Sequence, residues 1–217
     1  MTFWYRTPNG GSYEETQEGL KNWGFECDCP ICLDAKNTPK KELKRRDALR
    51  EDLKRALTAS VLDVVKTERL VASIELTYES PASKAPRLAL WAPYLRLMRA
   101  YGARNQPIKV LASALKALKC LGFIIKGAHP LEASGINFEV AQWGIMMDNV
   151  IEAWLHLWTT YAIIAPHLCQ KAEECAIIAY KICIGEDVTF EESFGEDVRE
   201  GIKEVKSLHR SVYADLT

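Results

Sequence analysis

The fold class of this chain is decided by residues 151–184, which read IEAWLHLWTTYAIIAPHLCQKAEECAIIAYKICI. Bulky apolar side chains recur at helical spacing before Pro166, and small side chains recur at the same spacing after it. Proline is favoured in the first turn of a helix, so two helices meeting at Pro166 are predicted. Large residues on one helix facing small residues on the next allow close packing.

A similar pair of apolar helical segments occurs upstream, where Trp91, Tyr94 and Met98 are followed by Leu111, Leu115 and Leu118. Both segments faintly resemble tetratricopeptide helix pairs. Their tryptophans, Trp91 and Trp154, are 63 residues apart, which is not a multiple of the 34-residue repeat and predicts an irregular array.

Helical periodicity extends over most of the chain. A helical segment is predicted from Thr38-Pro39 to about Tyr78, and no strand is predicted after residue 35. Further helices are predicted at 86–102, 106–126, 138–164, 166–184 and 195–214. The fold class is therefore mainly α, an antiparallel, tetratricopeptide-like helical array over residues 39–217, preceded by a separate segment over residues 1–38.

Composition excludes several classes of protein. The chain has 217 residues, 48% of them hydrophobic and 26% charged, so a packed core is expected. Its net charge of −1 does not favour nucleic acid as a partner. Residues 36–55 carry nine basic and four acidic side chains, but their interleaving indicates a solvated helix face rather than a nucleic-acid surface.

The N-terminal region holds the sequence's clearest chemical motif. Cys27, Cys29 and Cys32 have the spacing C-x-C-x-x-C. Zinc takes four tetrahedral ligands, of which this motif supplies three thiolates, so a fourth ligand is needed from elsewhere. The alternative is three incidental thiols, which this density of cysteines disfavours. Upstream, Ser12 and Glu15 fit a capping box, which predicts a short helix ending near Gly24.

The remaining cysteines, Cys120, Cys169, Cys175 and Cys183, lie in apolar helical surroundings and are predicted to be small buried hydrophobes. A second metal site at His167, Cys169 and Cys175 has no standard spacing to support it. No secretory signal is recognisable, and the apolar stretch 151–165 is too short and too polar to span a membrane. A cytoplasmic or nuclear protein without a membrane partner is therefore predicted.

The stretch Tyr5–Cys32 resembles the C-terminal end of a SET-domain lysine methyltransferase, and the closest similarity is to SMYD-type enzymes and related fungal SET proteins. Residues 1–5, Met-Thr-Phe-Trp-Tyr, look like the end of the segment that carries that family's active-site tyrosine. Residues 23–32, WGFECDCPIC, look like its post-SET zinc motif. The helical remainder is similar in placement to the family's C-terminal repeat domain.

This resemblance implies roles for individual residues. Tyr5 would be the catalytic tyrosine that orients the substrate amine, against the alternative of an aromatic residue at a strand end. Phe25 would pack beside the adenine of S-adenosylmethionine, against the alternative of packing around the zinc motif. Zinc would be structural, and the partner would be a protein or peptide substrate, with a histone as one candidate.

The resemblance also implies that the catalytic SET core lies ahead of Met1. Neither Gly-Glu-Glu nor the Asn-His-x-Cys segment, which supplies the family's usual fourth zinc ligand, occurs in this sequence. The chain is therefore expected to be the C-terminal part of such an enzyme and inactive alone. The alternative is a helical-repeat interaction module with a structural zinc knuckle.

Overall fold

The computed structural model describes residues 12–129, 137–147 and 149–203. The described chain is mainly helical, which confirms the predicted fold class. In chain order its elements are α1 (Tyr13–Leu20), α2 (Pro30–Asn37), α3 (Lys40–Thr58), α4 (Val64–Glu75), α5 (Leu88–Gly102), α6 (Pro107–Cys120), β1 (Ile124–Lys126), β2 (Glu139–Gln142), α7 (Val150–Ile164) and α8 (Pro166–Ile184). Residues 196–203 are also helical.

The predicted segment 39–78 consists of two helices, α3 and α4. Apolar side chains continue at helical spacing across the break, so periodicity alone does not reveal it. The break is stabilised by Asp63, whose carboxylate accepts a hydrogen bond of 2.9 Å from the Lys66 amide and caps α4.

The prediction of no strand after residue 35 is wrong. Strands β1 and β2 form an antiparallel pair in which Ile125 lies opposite Val140. The predicted helix 106–126 therefore ends at Cys120, and the predicted helix 138–164 begins only at Val150. Gly122, with a φ of 89°, turns the chain out of α6, and the β-branched side chains that follow suit a strand.

Consecutive helices from α5 to α8 pack against one another and enclose the core. Trp154, Trp158 and Tyr161 of α7 are buried, as are the alanines of α8, in agreement with the expected pairing of large with small side chains. The connection between α6 and α7 also enters the core, because the ring centres of Phe123 and Phe138 each lie 6.1 Å from that of Trp154.

Among the described helices, none has the combination of length and hydrophobicity that a membrane span requires.

Candidate metal centre

The sulfur atoms of Cys27, Cys29 and Cys32 lie within 4.8 Å of one another, which confirms that the motif forms a cluster. A tetrahedral zinc ion with Zn–S bonds of about 2.3 Å holds its sulfurs about 3.8 Å apart. The three sulfurs therefore need to approach one another by about 1 Å at most. Cys32 is buried, and Cys27 and Cys29 are half-buried, so a donor from outside the segment could approach the cluster.

The cluster is built at a helix N-terminus. No helix is predicted between Gly24 and Thr38, but α2 begins at Pro30 and places Cys32 in its first turn. Cys29 is the N-cap residue, with an extended backbone, and its carbonyl accepts a hydrogen bond of 2.9 Å from the Leu33 amide. The partial positive charge of a helix N-terminus stabilises thiolates, which are the form that binds metal.

Helix α1 also supports the cluster, through Gln17. The Gln17 side-chain amide donates a hydrogen bond of 3.0 Å to the Cys27 carbonyl, and the Cys27 amide donates one of 2.8 Å to Gln17 Oε1. The predicted capping box at the start of α1 is confirmed, because Ser12 and Glu15 exchange hydrogen bonds. Gln17 is thus presented from a helix whose own start is fixed.

A second contact joins α1 to α2 on the surface. The Tyr13 hydroxyl donates to the Glu26 carboxylate, and the Lys36 ammonium lies 3.3 Å from the same carboxylate. The Lys36 Nζ also lies 5.1 Å from the centre of the Tyr13 ring. These groups are exposed to solvent, so they contribute little to the free energy of unfolding.

The cysteines differ in pKa. Partial burial raises the pKa of the Cys27 thiol, but hydrogen bonds from the Cys29 amide and from the Cys29 and Cys32 thiols outweigh it, so the pKa is lowered overall. Burial raises the pKa of Cys32, as do its hydrogen bonds to the other two sulfurs. A metal ion that binds here must therefore displace a proton from Cys32 at neutral pH, which makes binding dependent on pH.

Three apolar side chains that flank the cysteine motif in the chain are exposed. Trp23 is 59% exposed, Phe25 is 40% exposed and Leu33 on α2 is 41% exposed. Phe25 lies two residues before Cys27 in the chain, and its side chain is in part accessible to solvent. Tyr5 and the rest of the first eleven residues lie outside the described part of the chain.

The other candidate sites are not supported by the described residues. Cys120 and Cys175 are buried, as predicted, and burial raises the pKa of each thiol to about 12. Cys169 and Cys183 are only half-buried, so the prediction of buried cysteines is wrong for these two. In the described ranges, the metal-ligand grouping of histidine, cysteine and acidic side chains is the Cys27, Cys29 and Cys32 cluster, and His167 has no part in it. On α3, arginines pair with acidic residues one turn away, as expected for a solvated face.

Two groups of residues around the cluster were missed by the sequence analysis. Gln17 had no signal in a single sequence, because its partner is a backbone ten residues away. The pair of Arg46 with Asp34 had a weak signal in the sequence. Arg46 lies on the apolar stripe of α3, between Leu43 and Leu53. A charged residue on a buried stripe indicates a buried partner.

The chain is similar in sequence to a known protein. The chain is 38% identical, over 197 residues, to a protein of Gibberella zeae named methyltransferase. The similarity covers 88% of this chain but 27% of that protein, so the chain spans about a quarter of its relative's length. No protein-family model matches the chain. The chain is thus related to a methyltransferase, and to this extent the similarity agrees with the resemblance found in the sequence.

Proposed function

We propose that this chain is the C-terminal part of a SET-domain, S-adenosylmethionine-dependent protein-lysine methyltransferase of the SMYD type, and that it is inactive alone. The observation that carries the proposal is the three-cysteine cluster at the start of α2, within a chain related over most of its length to a much longer methyltransferase. Three cysteine ligands near the N-terminus, and sequence similarity that continues through the helices after them, are what we expect of a post-SET segment followed by a helical domain.

In this proposal the cluster binds a structural zinc ion. The thiolates of Cys27, Cys29 and Cys32 supply three ligands, and a part of the longer protein outside this chain supplies the fourth. When bound, zinc would hold the segment that closes over the cofactor. The exposed side chains of Trp23, Phe25 and Leu33 would then be covered by the same part of the protein that brings the fourth ligand.

The catalytic roles follow from the family resemblance. Tyr5 would orient the ε-amine of the substrate lysine, and Phe25 would pack beside the adenine of S-adenosylmethionine. The neutral amine would attack the methyl carbon as the carbon–sulfur bond breaks, and the amine would then lose a proton. The substrate would be a protein or peptide in the cytoplasm or nucleus.

A cobalt titration of the chain tests the zinc site, because cobalt bound to thiolates absorbs in the near ultraviolet. With three thiolates, we expect weak binding, and we expect zinc in the purified chain to be substoichiometric or to exchange quickly. Ethanethiol should strengthen cobalt binding by filling the fourth position, whereas ethanol, which lacks the sulfur, should not. Cys29→Ser should abolish the thiolate absorption, and Cys120→Ala should not change it.

Tight one-to-one zinc binding without added thiol would contradict this arrangement, because it would require a fourth ligand within the chain. A Cys29→Ser variant that binds cobalt as strongly as the original chain would exclude the cluster as the metal site.

A second candidate function is a helical-repeat module that binds a protein or peptide, with the zinc segment as a structural knuckle. It is favoured by the helical array, which makes up most of the described chain. Calorimetry with S-adenosylmethionine tests whether the chain alone contains a cofactor pocket. We expect no heat of binding to the chain alone, and micromolar binding would instead indicate a cofactor pocket within these residues.

A further inference from the structure

Arg46 on α3 is a buried arginine, with 6% of its surface exposed, and it contacts two other parts of the fold. Its Nη1 donates a hydrogen bond of 3.3 Å to Asp34 Oδ2 on α2. Its Nε and Nη2 donate to the hydroxyl and carbonyl oxygens of Thr77, at 3.0 and 2.7 Å. One guanidinium thus joins the helix that carries Cys32 to the chain that follows α4.

The contact continues into the helical array through Tyr78. The Arg46 Cζ lies 3.7 Å from the centre of the Tyr78 ring, and the Arg87 Cζ lies 5.0 Å from the same centre. Arg87 in turn donates from Nη2 to the Ser80 carbonyl at 3.0 Å and from its backbone amide to the Cys120 carbonyl at 2.7 Å. Arg46 is therefore connected to the end of α6 through a continuous set of polar and aromatic contacts.

The ion pair between Arg46 and Asp34 is shielded from solvent, because their side chains are 7% and 11% exposed. Such a pair is tolerated only when further hydrogen bonds satisfy the charges, which Thr77 does for Arg46. Removing one member would leave a poorly solvated charge between α2 and α3. The described contacts of Asp34 make Arg46 the principal charged group that holds α2 at this place.

We propose that Arg46 is a positioning residue that fixes the cysteine-bearing helix α2 on the helical array, while the shape of the cluster itself is set locally by Gln17 and the start of α2. Asp34 lies two residues after Cys32, so a displacement of α2 at Asp34 would carry the cluster with it. The cluster would keep its three thiol ligands, but its orientation relative to the helical array would no longer be fixed. That the positioned cluster is a zinc site rests on the proposed function, whereas the positioning itself does not.

Arginine suits this role better than lysine. The planar guanidinium offers several N–H donors in fixed directions and stacks on aromatic rings, so it can reach Asp34, Thr77 and Tyr78 at once. A lysine ammonium could keep the charge pair with Asp34 but could not also make the Thr77 contacts in this geometry. Arg46→Lys should therefore rescue only part of what Arg46→Met loses.

Hydrogen exchange of backbone amides, followed by NMR on the whole chain, tests the proposal. In Arg46→Met, we expect the amides of residues 33–38 to exchange about tenfold faster or more, and those of α5 and α6 to change much less. Arg46→Lys should give an intermediate rate. The matched control is Arg45→Met, because Arg45 is on the same helix, its side chain is exposed, and its ion pair within the described part of the chain is with Glu42, at 3.4 Å.

Cobalt titration of the same variants separates this proposal from the proposed function. The thiolate absorption and the titration midpoint of Arg46→Met should match those of the original chain. If the original chain binds no cobalt, the zinc site is wrong but the exchange result still decides the role of Arg46.

Equal acceleration of exchange in α2, α5 and α6 would overturn the proposal, because Arg46 would then support the fold in general. Unchanged exchange in α2 would overturn it as well. If Arg46→Met does not fold, Asp34→Asn keeps the shape of the pair and removes the negative charge. Selective acceleration in α2 is expected in that variant too, and its absence would overturn the proposal.

Discussion

Gln17 and Cys27 exchange two hydrogen bonds. The Gln17 side chain on α1 therefore binds both the backbone amide and the backbone carbonyl of the first cysteine of the motif. The contact is partly buried, which protects it from competition by water. It fixes the backbone of the first cysteine relative to α1, ahead of any metal.

Gln17→Ala should therefore weaken cobalt binding to the cluster, although Gln17 is not a ligand. Groups that orient the ligands of a metal site typically change affinity by about 10- to 100-fold, and we expect a loss of about tenfold. Glu18→Ala is the matched control, because Glu18 is on the same helix and its ion pair among the described residues is with the exposed Lys21, at 3.4 Å. Equal cobalt affinities of the two variants would show that the hydrogen bonds between Gln17 and Cys27 have no effect on metal binding.

Gly144 lies where the connection between α6 and α7 meets the core. A Cβ atom at this position would lie 2.4 Å from both the Leu121 carbonyl oxygen and Phe123 Cδ2. Gly144→Ala should lower the free energy of unfolding by about 2–3 kcal/mol, because the backbone must move to relieve the contact.

The matched control for this variant is Gly102→Ala, where the added Cβ meets nothing within 4 Å. Alanine at such a site in a helix should be neutral or stabilising by up to about 1 kcal/mol. Urea denaturation measures both variants, and an equal effect of the two would mean that Gly144 is not tightly enclosed.

Tyr161 is buried on α7 and its hydroxyl donates to the Ala128 carbonyl. Tyr161→Phe should lower the free energy of unfolding by about 1–2 kcal/mol, because the carbonyl loses its partner inside the core. Ile182→Ala, at a site that is 53% exposed, should change it by less than about 0.5 kcal/mol. Urea denaturation again gives the comparison, and no loss in Tyr161→Phe would show that Ala128 is satisfied by another group.

His156 predicts a dependence of stability on pH. Burial lowers its pKa, the Arg99 guanidinium lowers it further, and Glu152 only partly opposes them. The unfolded chain therefore binds the proton more readily than the folded chain. Stability should fall as the pH drops through and below the ordinary histidine pKa of 6.5.

The measurement for His156 is the Tm between about pH 7.5 and pH 5.5. His156→Gln removes the titration, so its Tm should fall less over this range than that of the original chain. His167→Gln, at an exposed position at the start of α8, controls for the loss of a histidine. A slope unchanged in His156→Gln would contradict the lowered pKa.

Much of the helical fold could be predicted from the sequence where local signals agree. The helix predicted at 166–184 is α8 with the same limits, because Pro166 marks its start and Gly185, with a φ of 96°, marks its end. The capping box at Ser12 was also predicted correctly. The tetratricopeptide-like arrangement and the boundary at residue 39 stay predictions.

The strand pair could not be predicted because its stability comes from distant residues. β1 and β2 are three and four residues long, and the aromatic rings beside them pack on Trp154 of α7. The break before α4 was missed for a different reason, because apolar spacing continues through it. The polar contacts of Gln17 and Arg46 join residues that have no pattern in common along the chain.

The connection between α6 and α7 has one further consequence. Phe123, Phe138 and Trp143 from this connection surround Trp154, so part of the core of α7 is supplied by chain that precedes it. A cut between residues 120 and 150 would expose these rings on both products. The region from α5 to α8 should therefore unfold as one cooperative unit, and a truncation within it would be expected to aggregate rather than yield a smaller stable domain.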